Sequence, residues 1–216
     1  FVTKIVTSSY FYELQPERVA KVLMKHSEYG GASLTKSGYN QAVRELLPRV
    51  AECDAETVKF LTYALSNVYF SFVPEGEERA PFSELATALS LFCLGSKSAK
   101  LQHGFSIFAW AFDKSQDDLE TLDGSMLRRF LASILGVLFS CCHQTAKLPL
   151  PYMRSMLAVA VEELATRIMY QSSEVTFDDF GEWYNKEGCE LAPWLELLDL
   201  KKWQPVTPTG ASIEDE

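Results

Sequence analysis

The clearest hydrophobic pattern along the chain lies between residues 82 and 108. Apolar residues recur there every three or four positions, which predicts one amphipathic helix on each side of a short break at 95–98. The first helix carries Phe82, Leu85, Leu89 and Phe92, and the second carries Leu101, Phe105 and Phe108. Each apolar face is wide enough to need a partner, so we expect these two helices at the centre of the fold.

The same helical period recurs along the rest of the chain and predicts eight or nine helices, paired by short loops. Residues 1–14 are a β-branched and aromatic lead-in to which the pattern assigns no helix. Each loop has only two or three residues with strand character, at 33–35, 80–82, 120–122 and 174–176. Four similar helix–loop–helix units, which repeat every 40 to 50 residues or so, predict an all-α fold.

Composition narrows the class of protein. The chain has 216 residues, of which 47% are apolar and 12% aromatic, enough for a substantial core. Its net charge of −9 and the lack of a Lys/Arg block exclude a nucleic-acid partner. The five irregularly spaced cysteines form no disulfide or zinc pattern, which favours a reducing, cytoplasmic compartment. No apolar run reaches the roughly 18 residues of a membrane span, so we expect only indirect membrane contact.

No motif in the chain indicates catalysis. Cys141, Cys142 and His143 form a nucleophile-like cluster, but adjacent residues on a helix point apart, and no second His or acid completes a triad. A Gly-rich phosphate loop, HExxH and GxSxG are all absent from the sequence. We therefore expect a protein that is not an enzyme. Because the chain begins with Phe1, we also expect it to be part of a longer protein or to have a trimmed end.

A longer phrase around the first two helices carries a family resemblance. In order, the chain has Phe82, Glu84, Leu85, Ala88, Leu89 and Ser90, then Gly95, then Lys100, Leu101, Phe105, Ser106 and Phe108. This register resembles the end of the second hand and the start of the third in four-hand EF-hand proteins of the neuronal calcium sensor type. VTFDDF at 175–180 looks like the end of a fourth loop, and PWLELLDL at 193–200 resembles the extra C-terminal helix of that family. The final region is also somewhat similar to dystrophin-type EF-hand regions.

The resemblance implies two pairs of EF-hand-like helix–loop–helix units plus an extra C-terminal helix. The N-terminal pair would occupy residues 1–97, and the C-terminal pair with its extra helix would occupy 98–203. Residues 204–216 are rich in Pro, Gly and Ser and end in acidic residues, which predicts a disordered tail.

The calcium ligands of such loops are mostly missing from this sequence. A calcium-binding loop supplies oxygens from positions 1, 3, 5, 7, 9 and 12 and has Gly at position 6. We align the loops on the apolar residue at position 8, which is Leu34, Ala80, Leu122 or Val175. The first loop then has no carboxylate on a ligand position, and the fourth is too short. The third is expanded, and its acidic residues follow no recognisable order: Asp113, Asp117, Asp118, Glu120 and Asp123.

The second loop keeps the most ligand character. Glu75, Glu77 and Glu84 fall at positions 3, 5 and 12, but Val73 stands at position 1 and Glu78 replaces the Gly. We therefore expect no bound metal and no cofactor. Ca²⁺ binding by the second or third loop stays open as an alternative.

EF-hands that bind no ion cannot change conformation in response to one, so packing fixes their conformation. A fixed conformation suits a constitutive binding platform better than a sensor. The resemblance implies a hydrophobic groove on the first pair that receives a helix or peptide of a protein partner. The expected lining residues are Phe60, Tyr63, Phe70, Phe72, Phe82, Leu85, Leu89 and Phe92. The equivalent groove of the second pair would be filled by the segment 194–198. The sequence thus predicts a non-catalytic adaptor or regulatory interaction module, with a Ca²⁺ sensor or a regulatory domain of a larger enzyme as alternatives.

Overall fold

A computed structural model describes residues 2–112, 120–146, 150–170 and 172–203. These residues form ten α-helices: α1 (Val2–Ser9), α2 (Pro16–Lys25), α3 (Lys36–Leu46), α4 (Ala55–Ser71), α5 (Phe82–Ser90), α6 (Lys97–Phe112), α7 (Gly124–Ala146), α8 (Leu150–Ile168), α9 (Phe177–Trp183) and α10 (Cys189–Leu191). They also form four short strands: β1 (Ser33–Thr35), β2 (Arg79–Pro81), β3 (Thr121–Asp123) and β4 (Glu174–Thr176). The predicted all-α class is confirmed. The predicted acidic tail, 204–216, lies outside the described residues.

The strands join four helix–strand–helix units into two pairs. β1 pairs with β2, and β3 pairs with β4, both antiparallel. The register places Leu34 opposite Ala80 and Leu122 opposite Val175. All four side chains are buried. They are the four apolar residues on which the loops were aligned, so the sequence located the centre of each pair.

Local sequence signals set several helix boundaries. Pro16 occupies the first turn of α2, where its missing N–H is not needed. Asp54 caps α4 by accepting a hydrogen bond from the backbone N–H of Thr57 at 2.9 Å. Thr176 and Asp179 form a capping box at the start of α9. Each of these boundaries is set by a few neighbouring residues alone.

The two ends of the chain differ from the sequence-based expectation. The lead-in contains α1, whose Val2 and Ile5 are buried and which packs against α4. A helix of eight residues is marginal in water, so tertiary packing must hold it. The expected C-terminal helix is instead a 3₁₀ helix, Pro193–Leu198, which packs on α6.

Helix α7 lies at the centre of the structure and contacts α4, α5, α6 and α8. Its Phe130 meets the rings of Phe105, Phe108 and Phe180 at centroid distances of 5.9, 6.1 and 5.8 Å. One hydrophobic core therefore runs across the predicted domain boundary at 97/98. In the part of the chain that the structure describes, one window, Gly124–Cys141, is long and apolar enough to cross a membrane. It is weak support for a membrane segment, because 61% of it is buried in this core.

Lys100, a buried lysine of α6, links this helix to Leu91, which directly follows α5, and to the 3₁₀ helix Pro193–Leu198. Lys100 is 1% exposed, and its Nζ donates hydrogen bonds to the carbonyl oxygens of Leu91 at 3.0 Å and Leu198 at 2.9 Å. Burial lowers the pKa of Lys100 to about 8. The lysine therefore ties the start of α6 to the 3₁₀ helix at the expense of burying a charge.

This burial predicts a pH-dependent stability. Between pH 8 and 10 the unfolded chain keeps a proton on Lys100 that the folded chain has lost, so the free energy of unfolding should rise with pH. Relative to Lys100→Met, wild-type stability should rise by up to about 1.4 kcal/mol per pH unit over this range. Urea unfolding at several pH values measures it, with Lys59→Met as the exposed control. Parallel curves for wild type and Lys100→Met would contradict the prediction.

Candidate functional site

The apolar face of α5 is covered by the chain itself rather than open to a partner. Leu85, Leu89 and Phe92 are fully buried, and Phe82 is 5% exposed. Helix α5 packs against α2, α6 and α7. These four predicted groove residues are therefore part of the core, and α7 occupies a position in which we expected a foreign helix.

Two further residues of the predicted groove, Phe60 and Phe72, are half-buried against the core. The Nζ atom of Lys4, on α1, lies 4.6 Å from the centroid of the Phe60 ring. Helix α7 comes so close to Phe72 that a Cβ atom added at Gly136 would lie 3.2 Å from its ring. Packing of α1 and α7 on α4 thus closes this part of the predicted groove.

Only Tyr63 and Phe70 of the predicted set are well exposed, at 56% and 53%. Both lie on α4, seven residues apart, and therefore face the same side of that helix. The eight predicted residues accordingly do not form one open groove. Two of them are left to contact a partner in the structure as it stands.

The three acidic candidates of the second loop do not converge. Glu75 and Glu77 are exposed, whereas Glu84 is largely buried and accepts a hydrogen bond from Arg129 Nε of α7 at 2.7 Å. Across the described ranges, no three His, Cys, Asp or Glu side chains are grouped to hold a metal ion. Glu84 is thus held by Arg129 and is not grouped with Glu75 and Glu77.

The acidic residues of the third loop are only partly described. Asp113, Asp117 and Asp118 lie outside the described residues. Glu120 accepts a hydrogen bond from Ser106 Oγ at 2.6 Å, and Asp123 accepts one from the backbone N–H of Met126 at 2.8 Å. Both carboxylates therefore have protein partners.

An open groove lies elsewhere, between α3 and α4. Its volume is about 590 Å³, within the range of ligand-binding clefts. Tyr39, Leu61 and Leu65 are buried and form its floor. The described residues that line it are Lys36, Tyr39, Asn40, Val43, Arg44, Leu47, Pro48, Val50, Ala51, Val58, Leu61, Thr62, Leu65 and Ser66.

Hydrogen bonds and the α3–α4 connection define the two ends of this groove. At one end, Lys36 Nζ donates to Ser66 Oγ at 3.0 Å, and the Tyr39 hydroxyl donates to the Leu65 carbonyl oxygen at 3.0 Å. At the other end lies the 3₁₀ helix Pro48–Glu52 that connects α3 to α4. Lys36 and Leu47 are eleven residues apart, and at a rise of about 1.5 Å per residue the groove is about 16 Å long.

The charge of the groove is positive in a protein that is acidic overall. Lys36 and Arg44 line it, and no carboxylate does so among the described residues. Neither cation has a carboxylate within ion-pair distance in the described part of the chain. Burial lowers the pKa of Lys36 to about 8. The groove therefore offers a cation at one end and a second cation about 12 Å further along α3.

One of the two exposed residues of the original prediction borders this groove, because the Phe70 ring lies 5.3 Å from Lys36 Nζ. Tyr63 is not among the lining residues. The groove thus combines an apolar floor, two cations and an exposed aromatic ring at its border, which suits recognition of an acidic, amphipathic segment.

Among the described residues that line the groove, no nucleophile is paired with a general base. Its titratable lining residues are Lys36, Arg44 and Tyr39, and burial raises the pKa of the Tyr39 hydroxyl. Elsewhere, Cys141 is buried in the core, and the side chains of Cys142 and His143 lie outside the described part of the structure.

Comparisons with protein-family models, curated proteins and solved structures give no match for this chain. The assignment of a function therefore rests on the geometry and charge of the α3–α4 groove.

The apolar pattern of α3 already indicated this groove. Periodicity alone, however, does not distinguish residues that line a groove from residues that pack in the core. Ala42 and Leu46 of α3 are buried and do not line the groove, whereas Val43 and the buried Leu47, which directly follows α3, do line it. The helix thus has two adjacent apolar faces, one against α2 and one toward α4. The clue in the sequence was the width of the apolar stripe on α3, which is greater than packing against a single helix requires.

Proposed function

We propose that the protein is a non-catalytic interaction module whose α3–α4 groove binds an acidic amphipathic helix of a partner protein. The observation that carries the proposal is the open groove itself, with an apolar floor, Lys36 and Arg44 on its walls and no lining carboxylate among the described residues. Its length matches about three turns of a helix. Its volume takes several aliphatic side chains rather than a whole helix, as in helix-in-groove recognition.

The EF-hand resemblance supports this proposal in a different way from the one first expected. In that family an ion draws the last loop carboxylate inward and repositions the following helix. Here Arg129 already supplies a cation to Glu84, and α7 covers α5. We therefore propose a protein of fixed conformation that binds its partner on the surface between α3 and α4. We place the protein in the EF-hand superfamily as part of this proposal.

The test is a titration of ¹⁵N-labelled protein with an 18-residue helical peptide that has Leu on one face and Glu at its flanks. We expect saturable amide shifts confined to α3, α4 and their connection. Lys36→Met or Arg44→Met should weaken binding about tenfold, because each removes a cation that faces the acidic residues. A peptide with Lys in place of every Glu should not bind, since its charge repels the groove.

Arg18→Met is the matched control, because Arg18 is an exposed cation on α2, away from the groove. It should leave the affinity unchanged. Amide shifts that map outside α3 and α4, or equal affinity for the acidic and basic peptides, would contradict the proposal. Sedimentation of the free protein tests whether a second copy of the chain fills the groove instead of a partner helix.

A further inference from the structure

The first cation of the α3–α4 groove is held in one position by its neighbours. Lys36 Nζ lies 5.0, 4.9 and 5.3 Å from the ring centroids of Tyr39, Tyr69 and Phe70. The same atom donates a hydrogen bond to Ser66 Oγ at 3.0 Å. Ring faces attract a cation, so these contacts stabilise the charged ammonium. Because Lys36 also lines the groove, its ammonium is a fixed charge that an incoming carboxylate can reach.

The second cation, Arg44, lies eight residues further along α3, which places its Cα atom about 12 Å from that of Lys36 along the helix axis. Its side chain is exposed and lines the same groove. Within the described ranges, no carboxylate lies within ion-pair distance of either cation. A guanidinium donates two parallel hydrogen bonds to a carboxylate. The groove therefore offers two separate places for a carboxylate.

Apolar side chains lie between these two cations. The Tyr39 hydroxyl donates to the Leu65 carbonyl oxygen at 3.0 Å, which sets α4 beside α3 at this level. Val43, one turn later on α3, and Leu61, one turn earlier on α4, also line the groove. Tyr39, Leu61 and Leu65 are buried, and Val43 is half-buried. A segment that contacts both cations must therefore place apolar side chains between its carboxylates.

We propose that the groove selects partner helices that carry two glutamates seven residues apart, with apolar residues at the third and fourth positions after the first glutamate. This inference rests on the proposed function, because it specifies the acidic helix that the groove binds. Seven residues of α-helix advance about 10.5 Å and return to within about 20° of the same face. The two carboxylates then match the 12 Å or so between the cations within the reach of a glutamate side chain.

Other spacings on the same helix face fit less well. Glutamates four residues apart are separated by about 6 Å along the axis, roughly half the distance between the cations. Glutamates eleven residues apart are separated by about 16 Å, the whole length of the groove. The rings around Lys36 keep its ammonium from moving to meet a misplaced carboxylate. Each of these helices therefore pairs well with one cation only.

The test uses three peptides of identical composition, titrated calorimetrically into the full chain at pH 7. Each peptide has 18 residues, a leucine face and a hydrocarbon staple on the opposite face that keeps the helicity equal. Positions 4, 11 and 15 of the peptide share one face and hold two glutamates and one glutamine, which gives spacings of seven, eleven or four. We expect the peptide with a spacing of seven to bind about tenfold more tightly than the other two, because only it pairs with both cations.

Substitution of either cation should abolish this preference. In Lys36→Met and in Arg44→Met the three peptides should bind within about twofold of one another, since one cation cannot measure a spacing. Arg18→Met, outside the groove, should keep the tenfold preference. A purely structural role of Lys36 would instead weaken all three peptides by the same factor and leave the preference intact.

The outcomes separate this inference from the proposed function. Equal affinities of the wild-type protein for all three peptides, with amide shifts on α3 and α4, would overturn the spacing rule and leave the groove as the binding site. A preference that survives in Lys36→Met or Arg44→Met would also overturn the rule. Failure of all three peptides to bind would refute the proposed function and the spacing rule together.

Discussion

Phe92→Asp is expected to unfold the protein rather than to disable a binding surface. Phe92 is fully buried, and its ring packs against Phe11 at a centroid distance of 5.8 Å. The substitution removes a core ring and places a carboxylate in the hydrophobic core. We expect a loss of more than about 4 kcal/mol in the free energy of unfolding, out of a total of roughly 5–15 kcal/mol for a domain.

Thermal and urea unfolding followed by circular dichroism measure this effect. Phe92→Leu is the milder variant and should fold with a loss of about 1 kcal/mol, since it retains an apolar side chain. Phe70→Asp is the matched control on an exposed ring and should change stability by less than about 0.5 kcal/mol. A stably folded Phe92→Asp protein that no longer binds a partner would restore the α5 face as the binding surface.

Arg129→Met is expected to destabilise the protein by about 2 kcal/mol, because it leaves the Glu84 carboxylate buried without its cation. The Glu84 side chain is 12% exposed, and its Oε2 atom is buried without a hydrogen-bond partner among the described residues. Met is chosen because it keeps apolar contact with Phe108, over which the Arg129 guanidinium lies at 5.6 Å.

The double variant Glu84→Gln/Arg129→Met separates charge from packing. It should recover most of the lost stability, since it removes the unpaired carboxylate together with its cation. An equally large loss in the double variant would show that Arg129 acts through packing alone. Calorimetric titration of the same proteins addresses the calcium alternative, for which a micromolar wild-type isotherm that disappears in Glu84→Gln would be the supporting result.

The local part of the fold could be predicted from the sequence because neighbouring residues specify it. The N-cap at Asp54, the start of α2 at Pro16 and the apolar residues at the centre of the four loops all need only a few adjacent positions. The four helix–loop–helix units followed from their spacing. The candidate groove did not follow, although Phe70, which borders it beside Lys36, was in the predicted set.

The missed features all depend on contacts between distant segments. Periodicity shows that the α5 face is apolar, but it does not show that α7, more than 30 residues later, covers it. Helix α1 has apolar residues at helical spacing, Val2, Ile5 and Val6, but it is too short to be stable alone and is held by its packing on α4. Arg129 was not expected beside Glu84, because nothing in the sequence brings α7 to the second loop.

The sequence by itself determined the four helix–loop–helix units and the apolar residue at the centre of each loop. These depend on residue type and short-range spacing. The tertiary structure decided which apolar face is closed and which stays open. The α5 face is closed by α7, whereas the face between α3 and α4 stays open beside Lys36. The physical reason is that burial is a property of contacts between segments far apart in the chain, and a buried face and a binding face have the same hydrophobic pattern.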